Sequence, residues 1–270
     1  MSIRQYRPRG REHNGASRNQ TFVLVSATFL AIGLQIFYPL VHGDVLRVLT
    51  IATVYSAAFV AVFHSFLSFG LRFASTFLAV TLIYALTVEA IGVKGGWPFG
   101  TYYYDSSLGY QIYGVPLLVP FAWVMLSYPI FVAARRTAQK WVFLYGGLGL
   151  MAWDLFLDPQ MVNAGRWHWK VVGPHLPFAP NIPLSNSAGW LFAGMGLMSL
   201  LNVTLPKGHR KDGTTSLIPN VFLFWSLFAG IAGNAFFFHR PGTACFGGLI
   251  FAMVLSPYFF QLRFGRPDAF

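Results

Sequence analysis

Apolar runs of about twenty residues recur along this chain, at roughly 21–41, 46–66, 72–93, 114–134, 140–158, 184–204, 217–238 and 242–262. That length is what an α-helix needs to cross the hydrocarbon core of a bilayer, where no water can satisfy a backbone that fails to pair with itself. Charged residues make up 10% of the chain, against roughly 25% in soluble domains, too few to cover a water-facing surface. The expected fold class is all-α: a polytopic membrane helical bundle of about eight transmembrane helices. It forms a single domain over 21–264, with a disordered basic cytoplasmic tail at 1–20 and a short tail at 265–270.

Positive charge sets the orientation. With the N-terminus cytoplasmic, the inner segments hold Arg4, Arg7, Arg9, Arg11, Arg18, Arg72, Arg135, Arg136, Lys140, Lys207, Arg210, Lys211, Arg263 and Arg266. The outer segments hold only Arg47, Lys94, Arg166, Lys170 and Arg240. Cytoplasmic loops carry such an excess. Both termini are therefore expected inside a cell membrane, and the long connections at about 94–113 and 159–183 together outside. The net charge of +11 reflects this topology rather than nucleic acid, because no soluble domain exists to carry a basic patch. The arginines before the first run resemble the front of a signal peptide, but the run is too long for a signal core and is expected to be retained. Cys245, inside an apolar run, reads as a packing residue.

The chain has eight acidic residues, of which Glu12, Asp44, Asp212 and Asp268 lie in tails or turns. Glu89, in "LTVEAIGV", sits about a turn inside the outer end of the third run. Asp154, in "GLMAWDLFLDPQ", sits likewise in the fifth, and Asp158, four residues on, shares its helix face. A carboxylate in mid-membrane costs about 2.5–3.5 kcal/mol on insertion scales. Burial favours the neutral acid, and a protonated carboxyl beside an apolar cavity can act as a general acid. The plainer alternative is that these acids bind backbone or Arg166 and tie helices together; their convergence on one face weakens it.

Aromatic residues gather at the same level. "WPFGTYYYDSSLGYQIYGVPLLVPFAW" (97–123) brings Trp97, Tyr102, Tyr103, Tyr104, Tyr110 and Tyr113; Trp153, Trp167, Trp169 and Trp190 surround the second long connection; Trp123 lies deeper. An interfacial belt accounts for some of them. For Trp153, beside Asp154, a cavity wall is expected. The first connection is expected to lie over a site for an elongated apolar substrate.

Three blocks, "EAIGVKGGWPFGTYYYDSSLGYQIYGVPLLVPFAW" (89–123), "AWDLFLDPQMVNAGRWHW" (152–169) and "NIPLSNSAGW" (181–190), occur in this order. Together they resemble the membrane carotenoid-biosynthesis family of carotenoid hydratases, of the bisanhydrobacterioruberin hydratase and γ-carotene 1'-hydratase type. The resemblance implies cofactor-free addition of water to the terminal double bond of a carotenoid ψ end group, giving a tertiary alcohol. It leaves the carotenoid open, C50 included, and carries over no catalytic residues.

The chemistry assigns those. Protonating an alkene needs a strong acid; the tertiary carbocation that follows needs carboxylates and aromatic faces; a second carboxylate positions water and takes its proton. Asp154 is the expected acid, Glu89 the expected base, and Asp158, nearer the surface, is expected to matter less. Expected substrate-binding residues are Trp97, Tyr102, Tyr103, Asp105, Trp123, Trp153, Trp167, Asn186 and Trp190. No metal or cofactor is expected. The implied partners are the carotenoid, the bilayer and other carotenoid enzymes, without nucleic acid.

Other classes fit less well. Membrane di-iron hydroxylases need closely spaced histidines, and His13, His42, His64, His168, His175, His209 and His239 form no such box. No G-x-G-x-x-G points to a nicotinamide or flavin. A retinal protein needs a lysine within a span, and all five lie in loops or at span ends. A polyprenyl transferase could hold Mg²⁺ at Asp154 and Asp158, although such enzymes resemble one another in having two aspartate-rich motifs. A lipid or pigment transporter could use Glu89 and Asp154 as a proton relay.

Overall fold

The computed structural model describes residues 16–207, 210–211 and 214–265. Most of the expected N-terminal tail and residues 266–270 lie outside the described residues, as do Arg4, Arg7, Arg9, Arg11 and Arg266 from the charge count.

The chain forms an all-α polytopic membrane bundle. Its helices are α1 (Arg18–Phe37), α2 (Gly43–Phe69), α3 (Leu71–Gly95), α4 (Leu118–Thr137), α5 (Val142–Asn163), α6 (Leu184–Thr204), α7 (Leu217–Ala232) and α8 (Pro241–Phe264). Seven of them are long and apolar enough to cross a membrane, α7 being counted with the π-helical turn Gly233–Phe237 that continues it. The remaining helix, α5, carries Asp154, Asp158, Gln160 and Asn163, which lower its hydropathy. Those acids face inward, so this helix is accommodated by protein rather than lipid.

Local chemistry explains several helix ends. Ser17 opens α1 with a capping box: its hydroxyl accepts from the Gln20 N–H at 3.2 Å, and the Gln20 side chain accepts from the Ser17 N–H at 2.9 Å. Gly70, at φ +91°, breaks α2 from α3 in a conformation that side chains rarely adopt.

α4 is the most enclosed helix, with Trp123, Val124, Tyr128 and Phe131 almost fully buried. α5 and α6 lie against each other through glycines. A Cβ on Gly194 would stand 3.0 Å from Gly147 Cα, and one on Gly147 would stand 2.9 Å from the Leu191 carbonyl. Without a hydrophobic drive between helices in lipid, such small residues permit the close approach that makes packing favourable. The approach brings the first turn of α6 beside the acidic end of α5.

The two long connections are ordered ribbons. β1 (Thr101–Tyr104) pairs antiparallel with β4 (Trp167–Lys170), Tyr102 opposite Trp169 and Tyr104 opposite Trp167. β2 (Gln111–Ile112) and β3 (Val115–Pro116) form a hairpin around Tyr113 and Gly114, both at positive φ. β5 (His175–Leu176) pairs with β6 (Ala179–Pro183), which leads straight into α6. The two connections therefore lie on one end of the bundle and are joined by backbone hydrogen bonds.

Candidate active site

Three carboxyls are buried beneath these ribbons. Glu89 projects from the last turns of α3, and Asp154 and Asp158 from α5; their exposures are 3%, 2% and 1%. The expectation that Asp158 sits nearer the surface is thus not met: Trp167 and Trp169 of β4 cover it. Among the described residues the ion pair formed is Arg47–Asp44 at 3.2 Å, so no cation neutralises the three buried acids. Arg166, the partner offered by the plainer alternative, instead donates to the Ser107 hydroxyl at 3.0 Å.

Each carboxyl has a different set of donors. Glu89 Oε2 accepts from the Tyr102 hydroxyl at 2.5 Å and the Tyr104 hydroxyl at 2.8 Å, while its Oε1 accepts from the Trp123 indole at 3.0 Å. Asp158 Oδ1 accepts from the indole N–H groups of Trp167 and, at 3.1 Å, Trp169. The Asn186 amide, in the first turn of α6, donates to Asp158 Oδ2 at 2.8 Å and to Asp154 Oδ2 at 2.9 Å, bridging the pair. Asp154 Oδ1 is buried with no hydrogen-bond partner, and so is Asn186 Oδ1.

A carboxylate offers about four lone-pair sites. Glu89 has three occupied, with one left on Oε1. Asp158 has both sites on Oδ1 occupied and one on Oδ2. Asp154 Oδ1 is the only carboxyl oxygen in the cluster without a donor.

Space was made for these contacts in the sequence. A Cβ on Gly92, one turn beyond Glu89, would lie 2.6 Å from the Tyr102 hydroxyl. A Cβ on Gly189 would lie 2.8 Å from Phe99 Cα and from the Pro98 carbonyl, so α6 seats the start of the first ribbon directly on its surface. Ser185 reinforces that seat by donating to the Phe99 carbonyl at 3.0 Å.

The acids and their aromatic partners line a chamber of about 50 Å³, walled also by Phe99 and Trp190. Trp123 and Trp190 stack at 4.5 Å between centroids with their planes 12° apart, and Tyr102 lies 4.7 Å from Trp169. Beside the chamber is a larger, mostly apolar cavity of about 390 Å³, walled by α1, α2, α4, α5 and α7. Val119, Ala122, Leu126, Leu157 and Trp167 line both spaces. A water molecule occupies about 30 Å³ in the liquid, so the chamber suits water or the tip of a chain, and the cavity suits something longer.

Of the residues expected at the site, Glu89, Asp154, Asp158, Tyr102, Trp123, Trp167, Asn186 and Trp190 line the chamber, and Trp153 lines the larger cavity. Trp97 and Tyr103 do not; they are 68% and 61% exposed, whereas Tyr102 is 5% exposed. In a strand, neighbouring side chains point to opposite faces. Tyr103 therefore turns outward and stacks on His168, its cross-strand partner, at 5.0 Å. Asp105 also lies apart. Its carboxyl accepts from the Ser107 N–H at 2.8 Å, and the Ser107 hydroxyl and N–H hold it below the usual carboxylate range. Tyr104, Trp169 and Phe99 complete the chamber although the sequence did not single them out as binding residues. The signal was present in "TYYY" and "WHWK", where period-two alternation puts Tyr102 with Tyr104 and Trp167 with Trp169.

The tyrosine hydroxyls are held as donors. Burial, followed by the Glu89 charge, raises Tyr102 and Tyr104 above the ordinary tyrosine value of 10.0. They remain protonated where free tyrosine ionises, which keeps both bonds to Glu89 intact.

Comparison with known proteins shows the family. Residues 42–254 match the family model described as "Carotenoid biosynthesis protein". Bisanhydrobacterioruberin hydratase of Haloarcula japonica is 33% identical over 130 residues, covering 46% of this chain and 43% of that protein. The match thus spans less than half of the relative's length. No solved structure matches.

Proposed function

We propose that this chain, which belongs to the carotenoid biosynthesis protein family, adds water to the terminal carbon–carbon double bond of a carotenoid ψ end group as a cofactor-free hydro-lyase of the cell membrane. The observation that carries this reading is the unequal supply of donors to three buried carboxyls. Asp154 Oδ1 has no donor, lies beside the like-charged Asp158, and is the natural seat for a proton. Glu89, held by two phenols and an indole, is the natural carboxylate.

The steps balance. The Asp154 proton goes to the terminal alkene carbon that leaves a tertiary cation. The faces of Trp123 and Trp190 and the Glu89 and Asp158 carboxylates steady that charge. Water adds to the cation, and its proton passes to the free lone pair on Glu89 Oε1. Transfer of that proton from Glu89 back to Asp154 restores both groups. The apolar cavity holds the rest of the chain and keeps competing water away. The relative is named a hydratase of bisanhydrobacterioruberin, which supports the same reaction class.

Mg²⁺ at Asp154 and Asp158 is less well supported. Asp158 already accepts from three N–H groups, which a metal would have to displace. Among the described residues no group of three His, Cys, Asp or Glu is arranged to hold an ion.

The test is pigment analysis of a host making lycopene or a C50 carotenoid, with and without this chain. A gain of one water mass per modified end is expected. Unchanged pigment in membranes that contain the protein would remove the hydratase reading.

A further inference from the structure

The larger cavity is not sealed on all sides. Val54 and Ala57 of α2 and Leu118, Val119 and Leu126 of α4 line it and are buried. The lining residues that are largely exposed are Ile36 at 49%, Phe228 at 53% and Phe237 at 49%. All three belong to α1 or to α7 and the π turn that continues it. On a membrane span, exposed apolar side chains meet lipid rather than water. The cavity therefore opens sideways into the bilayer between α1 and α7.

Little holds that opening shut. Among the described residues, the hydrogen bond between the two helices runs from the Trp225 indole to Gln35 Oε1 at 2.9 Å. Both side chains line the cavity. Two apolar side chains would pack at a lipid-facing seam without desolvating an amide, so a polar pair there needs a reason. At the outer end Phe238 meets Tyr38 edge-on, with centroids 6.4 Å apart. Gly33 lies two residues before Gln35, and a Cβ there would meet nothing within 4 Å. No contact demands glycine at that point, and inside a helix it is less favourable than alanine. What it supplies is freedom for the outer end of α1 to bend.

We infer that the seam between α1 and α7 is the entrance by which the carotenoid end group passes from the bilayer towards the acid chamber, with Trp225 and Gln35 as its latch. One space connects the two ends of this path. Ile36 and Phe228 stand at the lipid side, and Val119, Leu126 and Leu157 line both the cavity and the chamber. An apolar substrate dissolved in lipid thus never crosses the ribbons, which stay closed over the acids. A chain longer than the cavity continues back through the seam into lipid. Entry parts the Trp225–Gln35 bond and swings α1 outward from Gly33. This rests on the carotenoid reading of the cavity but not on hydration itself.

Uptake can be measured apart from chemistry. Protein in vesicles receives an acyclic ψ-end carotenoid from donor vesicles, and the pigment that stays with the protein after detergent extraction is followed with time by absorbance. Trp225→Phe keeps an aromatic ring but removes the donor, so uptake should quicken by about two- to tenfold, the worth of one neutral hydrogen bond. In a Cys245→Ser background, Gln35→Cys with Trp225→Cys is bridged by a reducible bifunctional thiol reagent. Bridging should slow uptake by about tenfold or more, as a locked gate does, and reduction of the bridge should restore it. Bridged protein that fills as fast as unbridged overturns the entrance, as does slowing that outlasts the bridge. An unaltered rate in Trp225→Phe overturns the latch. Uptake that responds to the bridge without hydration keeps the entrance and removes the hydratase reading. No uptake by the unaltered protein removes both.

Discussion

The Tyr102 hydroxyl stands 2.5 Å from Glu89 Oε2, so a side chain delivered by a surface ribbon closes on a carboxyl carried by a membrane span. The contact is part of the covering of the site rather than an accessory to it. Glu89 has no cationic partner among the described residues, and its carboxyl is met by donors from β1 and α4.

The acids are the first place to test the chemistry. Asp154→Asn and Glu89→Gln keep size but cannot exchange the proton. Each should lower hydration by about 10²–10⁴-fold with protein still in the membrane and unreacted carotenoid accumulating. Near wild-type pigment conversion by both variants would sink the proton-transfer scheme.

The strand alternation makes a sharper comparison. Tyr102→Phe and Tyr104→Phe each remove a donor from Glu89 and should slow turnover by about tenfold, the worth of one hydrogen bond to a charged group. Tyr103→Phe and Trp97→Ala, on the outward face, should leave turnover within about twofold, since exposed positions tolerate change. Pigment conversion at matched protein level reads both. Loss at Tyr103 equal to that at Tyr102 would contradict the placement.

Glycine at position 92 is required by a contact rather than by backbone conformation. Gly92→Ala places a methyl 2.6 Å from the Tyr102 hydroxyl and should reproduce the Tyr102→Phe defect. Gly95→Ala, where a Cβ meets nothing within 4 Å, is the control and should be silent. Equal activity of the two alanine variants would show that the ribbon is not seated as described.

A pH effect follows from the raised tyrosines. In the unfolded chain they lose protons near their ordinary value of 10.0, whereas in the fold they keep them. Above that pH the unfolded state binds fewer protons, so stability is full below about 10 and falls as pH rises further. The melting temperature of solubilised protein should drop between about pH 9 and 11, and Tyr102→Phe with Tyr104→Phe should flatten the drop even if it lowers the starting value. An unchanged slope would mean that these hydroxyls titrate normally.

Orientation can be read by labelling. With Cys245 replaced, a cysteine at Ser106 should react with an impermeant reagent from outside the cell, and one at Gln139 should not. The opposite pattern would invert the topology and place the ribbons on the cytoplasmic face.

The spans were legible because each is a local property: twenty apolar residues declare a helix in lipid without reference to anything distant. The errors lie where local signals end. α5 continues to Asn163 through Pro159, beyond the reading that stopped at Asp158. Glu89, Asp154 and Asp158 were visible because acids in apolar runs are expensive and rare. Tyr102 and Tyr103 could not be told apart while the connection was read as a loop. Their separation depends on pairing with residues 167–170, which is a tertiary event. The same pairing buries Asp158, which sequence position alone put near the surface.

The ribbon pairing also divides the site between two stretches of chain. Glu89, Tyr102, Tyr104 and Trp123 precede the short link at 138–141, whereas Asp154, Asp158, Trp167, Trp169 and Asn186 follow it. Each stretch supplies the donors to its own acids, but neither holds both the proposed acid, Asp154, and the proposed base, Glu89. As the protein is synthesised, the first four helices can enter the bilayer carrying a glutamate whose tyrosines have no opposing strand to hold them. The chamber comes into being only when β4 emerges and zips onto β1. A chain stopped before α5 therefore lacks the proposed proton donor and is expected to be chemically silent.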